Sequence, residues 1–243
     1  MADLYGLIGK NIAYSRSPEL FEQFFNELNI NAQYRIFDVK NESLLENILQ
    51  TDHLKGVNIT IPYKEKIIRH LDVISPEAQK TGAVNTVKIS GNKRYGYNTD
   101  IYGFEESLKE KLQPFHRKAF ILGNGATAKT VQYVLNRLGI SYQIISRFKQ
   151  PGILTYADIT PELLQTHLLI INTTPLGNMN YPGEKAPLPY HALTDKHFLY
   201  DLNYKPSLTP FLQEGLKRKA QILNGEKMLM LQARKSLEIW LNA

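Results

Sequence analysis

The segment Gly56-Val57-Asn58-Ile59-Thr60-Ile61 alternates apolar with polar positions until Pro62 interrupts it, a pattern that predicts a strand over 57–61. Val57, Ile59 and Ile61 fall on a face that buries together, while Asn58 and Thr60 share the other. Pro62 ends the ladder and opens a helix with Lys64 in its first turn. Asn58, Thr60 and Lys64 thereby point toward one rim. A lysine opposes the dipole at a helix N-terminus, which favours a role in binding or chemistry over the alternative of a plain surface lysine.

The same reading extends along the chain. Strands over 5–8, 34–37 and 83–89 alternate with helices over 43–49 and 65–71. Ser17-Pro18-Glu19 opens a further helix, in which Leu20, Phe21, Phe24, Phe25 and Leu28 recur at helical spacing. Ser90-Gly91-Asn92-Lys93 closes a strand as a turn, a helix follows over 103–112, and residues 113–118 form a short link. Beyond it, strands over 119–122, 142–145, 168–172, 198–201 and 221–223 are separated by helices or irregular links, the pattern of a parallel sheet with helical crossovers. The last helix, over 225–241, places Met228, Leu231, Leu237 and Trp240 in a core. The fold class is α/β.

Composition narrows the function. A chain of 243 residues, 43% hydrophobic, can build one large or two modest domains. It has no cysteine, which excludes a disulfide framework, a thiolate metal site and a cysteine nucleophile, and fits a reducing compartment. With no basic signal-like start and no run of 18 apolar residues, the expectation is a cytoplasmic protein with no membrane segment. The net charge of +6 is scattered, which suits small anionic ligands better than nucleic acid. His53, His70, His116, His167, His191 and His197 lack ligand spacing, so solvated or capping roles are expected and no metal site.

Phe120-Ile121-Leu122-Gly123-Asn124-Gly125-Ala126-Thr127-Ala128 reads as a buried strand, a tight glycine turn and a helix of small residues. Glycine admits the phosphate to the backbone, and the helix N-terminus supplies amide donors and the positive end of the dipole. The motif alone is weak, since glycine turns also join strands to helices for steric reasons. About 20 residues on, where an NAD site presents an acid to the ribose, residues 139–157 contain no Asp or Glu. Ser146, Arg147 and Lys149 stand there instead, and their donors suit a 2'-phosphate, so NADP is expected over NAD; the alternative is that both cations solvate a loop.

Ser15-Arg16-Ser17-Pro18 allows Ser17 to cap a helix with Pro18 at its first position, and two hydroxyls at a helix N-terminus also seat a carboxylate. Asp100, in Asn98-Thr99-Asp100 before a helix, either complements the dipole or pairs with Lys64 to position a proton-transferring amine.

Taken in order, these motifs resemble the shikimate dehydrogenase family, which reduces 3-dehydroshikimate to shikimate with NADPH. The S-x-S-P opening is Ser15 and Ser17, V-N-[VI]-T-x-P-x-K is Val57 to Lys64, and G-A-V-N-T and N-T-D are Gly82 to Thr86 and Asn98 to Asp100. The glycine turn follows, then N-x-T-P-L-G at Asn172 to Gly177, D-L-x-Y-x-P at Asp201 to Pro206, and M-L-x-x-Q at Met228 to Gln232.

The resemblance implies an N-terminal α/β substrate domain with a mostly parallel sheet over 1–103, onto which a helix over 226–243 packs back, and a Rossmann-like NADP-binding domain over 104–225, with a cleft between them. It implies that Ser15, Ser17 and Tyr204 contact the substrate carboxylate and that Asn58, Thr60, Asn85, Asp100 and Gln232 bond ring hydroxyls. Lys64 and Asp100 would carry the chemistry. Gly123, Asn124, Gly125, Ala126, Thr127, Ser146, Arg147, Lys149, Thr173, Thr174 and Gly225 would bind NADP. The implied protein is an oxidoreductase of aromatic amino acid biosynthesis, a monomer or homodimer. A quinate/shikimate dehydrogenase and a non-catalytic sensor are the alternatives, and a sensor should lack Lys64 or Asp100. The chain departs from the family at Ala126, where a second consecutive glycine is usual, at Ser146-Arg147-Phe148 in place of Asn-Arg-Thr, and at Asn178, which displaces the usual Met.

Overall fold

Apolar residues on both faces of the strands dictate a covered sheet in each half of the chain. The computed structural model describes residues 2–13 and 15–242. The chain divides into two units, Met1–Tyr102 with Met230–Ala243, and Gly103–Leu229.

The first unit contains β1 (Asp3–Gly9), α1 (Ser17–Glu27), β2 (Ala32–Asp38), α2 (Leu45–Leu49), β3 (Leu54–Ile59), β4 (Val73–Ile74), α3 (Pro76–Thr81), β5 (Thr86–Ser90) and β6 (Lys93–Tyr97). Its sheet runs β2-β1-β3-β5-β6-β4, with β1 parallel to β2 and β3, β4 parallel to β6, and β5 antiparallel to both β3 and β6. One face packs Ile8, Leu45, Val57, Ile59, Tyr63, Ile67 and Val87 together. The other carries Tyr5 against Phe21, Phe24 and Phe25 of α1 and Ala233, Leu237 and Trp240 of the C-terminal helix. Trp240 stacks on Tyr5 at 4.8 Å and donates from Nε1 to the Val87 carbonyl at 2.9 Å.

Several expected boundaries move, each for a local reason. The strand ends at Ile59, because the Tyr63 N–H bonds to the Thr60 carbonyl at 2.9 Å and turns the chain; Ile61 leaves the alternation and is 68% exposed. No helix opens at Pro62. A 3-10 turn begins only at Lys66, so Lys64 lies ahead of it and the dipole argument does not apply. Residues 42–44 are likewise 3-10 before α2. Ser17 is the first residue of α1 and not its cap; the Ser15 hydroxyl takes that work, accepting from the Ser17 N–H at 3.2 Å. The helix expected over 103–112 starts at Asp100 (α4, Asp100–Lys109), and the strand expected from 83 starts at Thr86.

The second unit contains β7 (Lys118–Leu122), α5 (Ala126–Arg137), β8 (Ser141–Ser146), β9 (Leu154–Thr155), α6 (Pro161–Thr166), β10 (Leu169–Asn172), β11 (Phe198–Asp201), α7 (Pro210–Lys217) and β12 (Gln221–Leu223), followed by α8 (Glu226–Leu241). The sheet is parallel throughout, ordered β12-β11-β10-β7-β8-β9. That is the doubly wound order of dinucleotide-binding folds, and its switch point falls between β7 and β10. Residues 113–118 lie inside the second unit, where His116 is buried, accepts from the Gln113 N–H and bonds through Nε2 to the Lys196 carbonyl at 3.0 Å. His167 and His197 are buried too, the first stacked on Phe120 and the second bonded to the Leu164 carbonyl. These three rings are core groups and not solvated ones, and burial lowers the pKa of each. No helix among the described residues is long and apolar enough to cross a membrane.

Candidate active site

The chain around Lys64 is clamped on both sides. Tyr63, 2% exposed, donates its phenol to the Val39 carbonyl at 2.7 Å, and the Lys64 carbonyl accepts from the Val84 N–H at 2.8 Å. The Lys64 side chain then reaches the first residue of α4, with Nζ 2.6 Å from Asp100 Oδ2 and both side chains largely buried. Asp100 Oδ1 accepts from Asn85 Nδ2 at 2.9 Å. The carboxylate is therefore held by an amide on one oxygen and faces the amine with the other.

Behind the pair lies a buried polar network. Asn85 Oδ1 accepts from the Thr99 N–H at 2.7 Å and from the Thr99 and Thr86 hydroxyls, both at 3.1 Å. Gln232 of α8 turns its Oε1 to Asn85 Nδ2 at 3.4 Å. Asn58 donates to Ser236, to Thr86 and to the Asn85 carbonyl, and accepts from Tyr34 at 2.8 Å. Tyr34 is stacked on Phe21 at 4.4 Å and hydrogen-bonded to Ser17; burial holds its phenol well above the ordinary range, which keeps it a donor. Ser15 donates to the Ser17 hydroxyl at 3.1 Å. Thr60 is half-buried just past β3. Thus Ser15, Ser17, Asn58, Lys64, Asn85, Asp100 and Gln232 join one continuous set of bonds in the first unit.

The second unit carries the other candidates, with Gly123 to Thr127 and Thr173 at the switch point and Ser146, Arg147 and Lys149 at the end of the neighbouring β8. Gly123 has φ +108°, and a Cβ there would press on Thr173 Oγ1, which donates to the Leu122 carbonyl at 2.7 Å. Gly125 caps α5 with no side-chain bond, and a Cβ on it would meet nothing within 4 Å. Open space over uncapped helix amides is where a phosphate group could sit. Ala126 and Thr127 are the first helical residues, and Asn124 Nδ2 bonds Gln150 at 3.4 Å. Ser146 ends β8 and accepts from the Phe148 N–H, while Arg147 and Lys149 project exposed, Arg147 lying 5.7 Å from the Phe148 ring centre.

Thr174 is tied to Asn172 Oδ1 at 2.6 Å, and Asn172 in turn to Asp201 at 3.0 Å. Asp201 also accepts from Asn203 and Thr209; burial outweighs these donors and pushes its carboxyl up to about 6. Tyr204 is half-buried on the loop this carboxyl braces. Gly225 is required sterically, since a Cβ would collide with the Leu202 carbonyl.

Residues 7–87 match the family model described as the shikimate dehydrogenase substrate binding domain. Over 246 aligned residues, covering 97% of this chain and 95% of the relative, the chain is 38% identical to a shikimate dehydrogenase (NADP(+)) of Clostridium botulinum (strain 657 / Type Ba4). The chain belongs to the shikimate dehydrogenase family.

Solved members agree in fold. The shikimate dehydrogenase of Aquifex aeolicus superposes with a TM-score of 0.90 at 30% identity, covering 100% of this chain and 93% of the other. The shikimate 5-dehydrogenase of Thermus thermophilus, solved in complex with NADP(H) and shikimate, gives a TM-score of 0.88 at 29% identity, over 98% and 93% of the two chains. Against the family motifs, sequence reasoning missed Tyr34, Thr86, Thr99, Ser236 and Asp201. Thr86, Thr99 and Asp201 lie inside the quoted motifs, a signal that was there to be read. Tyr34 reads as an ordinary strand residue and Ser236 falls beside the apolar Ala233, Leu237 and Trp240, so neither announces itself.

Proposed function

We propose that this member of the family catalyses the reversible reduction of 3-dehydroshikimate to shikimate with NADPH. The Lys64–Asp100 pair, closed to 2.6 Å and held from behind by Asn85, carries the reading. NADPH, when bound, supplies the hydride to the ring ketone. Lys64 donates a proton from Nζ to the ketone oxygen as the carbon–oxygen double bond becomes an alcohol, and its charge stabilises the developing alkoxide. In the reverse direction the amine takes the hydroxyl proton. Asp100 fixes the amine and accepts from a ring hydroxyl.

Ser15 and Ser17 seat the carboxylate, and Thr60, Asn85 and Gln232 bond ring hydroxyls. Asn58 has its amide hydrogens committed inside the protein, which leaves an oxygen lone pair for the ring. A substrate lacking one hydroxyl would leave buried groups unpaired, and this favours a polyhydroxylated acid. In the second unit Gly123, Asn124, Gly125, Ala126 and Thr127 would hold the pyrophosphate, Ser146, Arg147 and Lys149 the 2'-phosphate, with Thr173, Thr174 and Gly225 shaping the backbone nearby. The open space at Gly125 and the absence of an acid over 139–157 both fit NADP. The deciding assay follows NADPH and NADH oxidation with 3-dehydroshikimate and 3-dehydroquinate in parallel. Fastest turnover is expected with NADPH and 3-dehydroshikimate; no oxidation with any pair would leave a binding protein and sink the reading.

A further inference from the structure

Ser236 is fully buried on α8, beside the apolar Ala233, Leu237 and Trp240 and one turn after Gln232. Alanine would pack there as well, and a desolvated hydroxyl is costly unless it is bonded. This one is bonded in several directions. Its Oγ accepts from Asn58 Nδ2 at 2.9 Å and stands 2.8 Å from Thr86 Oγ1, 3.1 Å from Thr99 Oγ1 and 2.9 Å from the Gln232 carbonyl one turn earlier.

The two threonines are the hydroxyls that donate to Asn85 Oδ1. Holding that oxygen toward them leaves Asn85 Nδ2 to meet Asp100, so Asp100 keeps its other oxygen for Lys64. The hydroxyl also fixes Asn58 directly, accepting from its amide while its own proton goes to a threonine. We infer that Ser236 is a positioning residue, whose single hydroxyl sets Asn58 and the Asn85–Asp100 pair together and so couples the seating of α8 to substrate binding. The inference rests on the shikimate reading above, with Ser236 touching neither substrate nor cofactor.

The test uses the full chain and two variants, Ser236→Ala and the isosteric Thr86→Val. Calorimetric Kd for shikimate and for NADP+, KM and kcat, and Tm are measured for each. Shikimate Kd and KM should each rise about tenfold, the worth of roughly one well-made hydrogen bond to an oriented group, with NADP+ Kd unchanged. The double variant should lose little more than the larger single loss, because both changes open the same network. A lowered Tm with shikimate Kd within twofold of the parent would mark Ser236 as a structural residue and overturn the inference, as would losses that multiply in the double variant. Should Ser236→Ala fail to fold, an unchanged shikimate Kd in Thr86→Val overturns it alone. A parent chain that binds no shikimate overturns the functional reading first and this inference with it.

Discussion

The two units prepare their polar groups in opposite ways. In the first, amides and hydroxyls from β2, β3, β5, α4 and α8 bond one another below the surface, so that Asn58 and Asn85 are 5% and 4% exposed. In the second, apart from the buried Asn172–Asp201 pair that braces Thr174, the candidate groups are mainly a glycine turn with open space above it and two exposed cations on a loop. The difference follows from what each must recognise. A rigid ring bearing several hydroxyls is read by donors and acceptors whose directions are fixed in advance. A phosphate asks mainly for amides and charge, which backbone and flexible side chains supply.

The largest expected effect is in the first unit. Lys64→Ala should lower turnover by roughly 10²–10⁴, the usual share of positioned proton transfer, while the shikimate Kd changes little. Equal losses of binding and turnover would turn Lys64 into a binding group and weaken the contrast. In the second unit Arg147→Ala should raise the KM for NADPH by about 10–100-fold, the worth of a charge-assisted contact to phosphate, and that for NADH far less. A parallel rise for both cofactors would show that Arg147 does not read the 2'-phosphate.

How much of this is legible in the chain depends on the distance over which the bonds act. Strong local patterns survive: the aromatic spacing of 20–28 gives α1, and the apolar run at 119–122 gives the central strand β7. Lys93–Tyr97 has no clean alternation to mark it as a strand, because its neighbours β5 and β4 and not its own pattern hold it in the sheet. The three buried histidines are invisible for a similar reason, since His116 and His197 are tied to the distant Lys196 and Leu164 carbonyls and His167 is stacked on the distant Phe120. In the site, order along the chain picks out Lys64, Asn85 and Asp100, which the fold brings together. It cannot show that Asn58 meets Ser236, 178 positions away, because no local pattern encodes such a bond.

The contrast extends to acid. Glu46 in the first unit is held down to about 2, first by the Arg94 hydrogen bonds and then by His70. Its folded value lies below its ordinary 4.5, so the stability it contributes is present above that value and is lost as pH falls through about 2. Asp201 in the second unit behaves in reverse. Burial raises it from 3.8 to about 6, so its contribution is present below about 4 and is lost as pH rises through about 6. Calorimetric Tm measured from pH 2 to 8 should therefore show a shallower acid limb in Glu46→Gln, since Asp158, Glu162 and Glu214 are also held low, and flatten between about 4 and 6 in Asp201→Asn. If Asp201→Asn leaves that slope intact, the carboxyl is not the group burial disfavours.

The smallest effect is the most discriminating for the open half of the molecule. Gly125 has φ −94° and ψ −172°, a conformation any residue adopts, and a Cβ there would touch no atom within 4 Å. The position's only claim on glycine is the mild preference of a helix N-cap for glycine over alanine. That preference opposes the reduced freedom of the unfolded chain, so Gly125→Ala should change Tm little. If the space above α5 is the pyrophosphate seat, the same methyl should weaken NADP+ several-fold, read as a calorimetric Kd, with shikimate binding untouched. Stability held together with cofactor affinity lost would show that this glycine answers mainly to a ligand and not to the fold. Gly225 gives the opposite control: a methyl there meets the Leu202 carbonyl, so Gly225→Ala should cost stability whether or not cofactor is present.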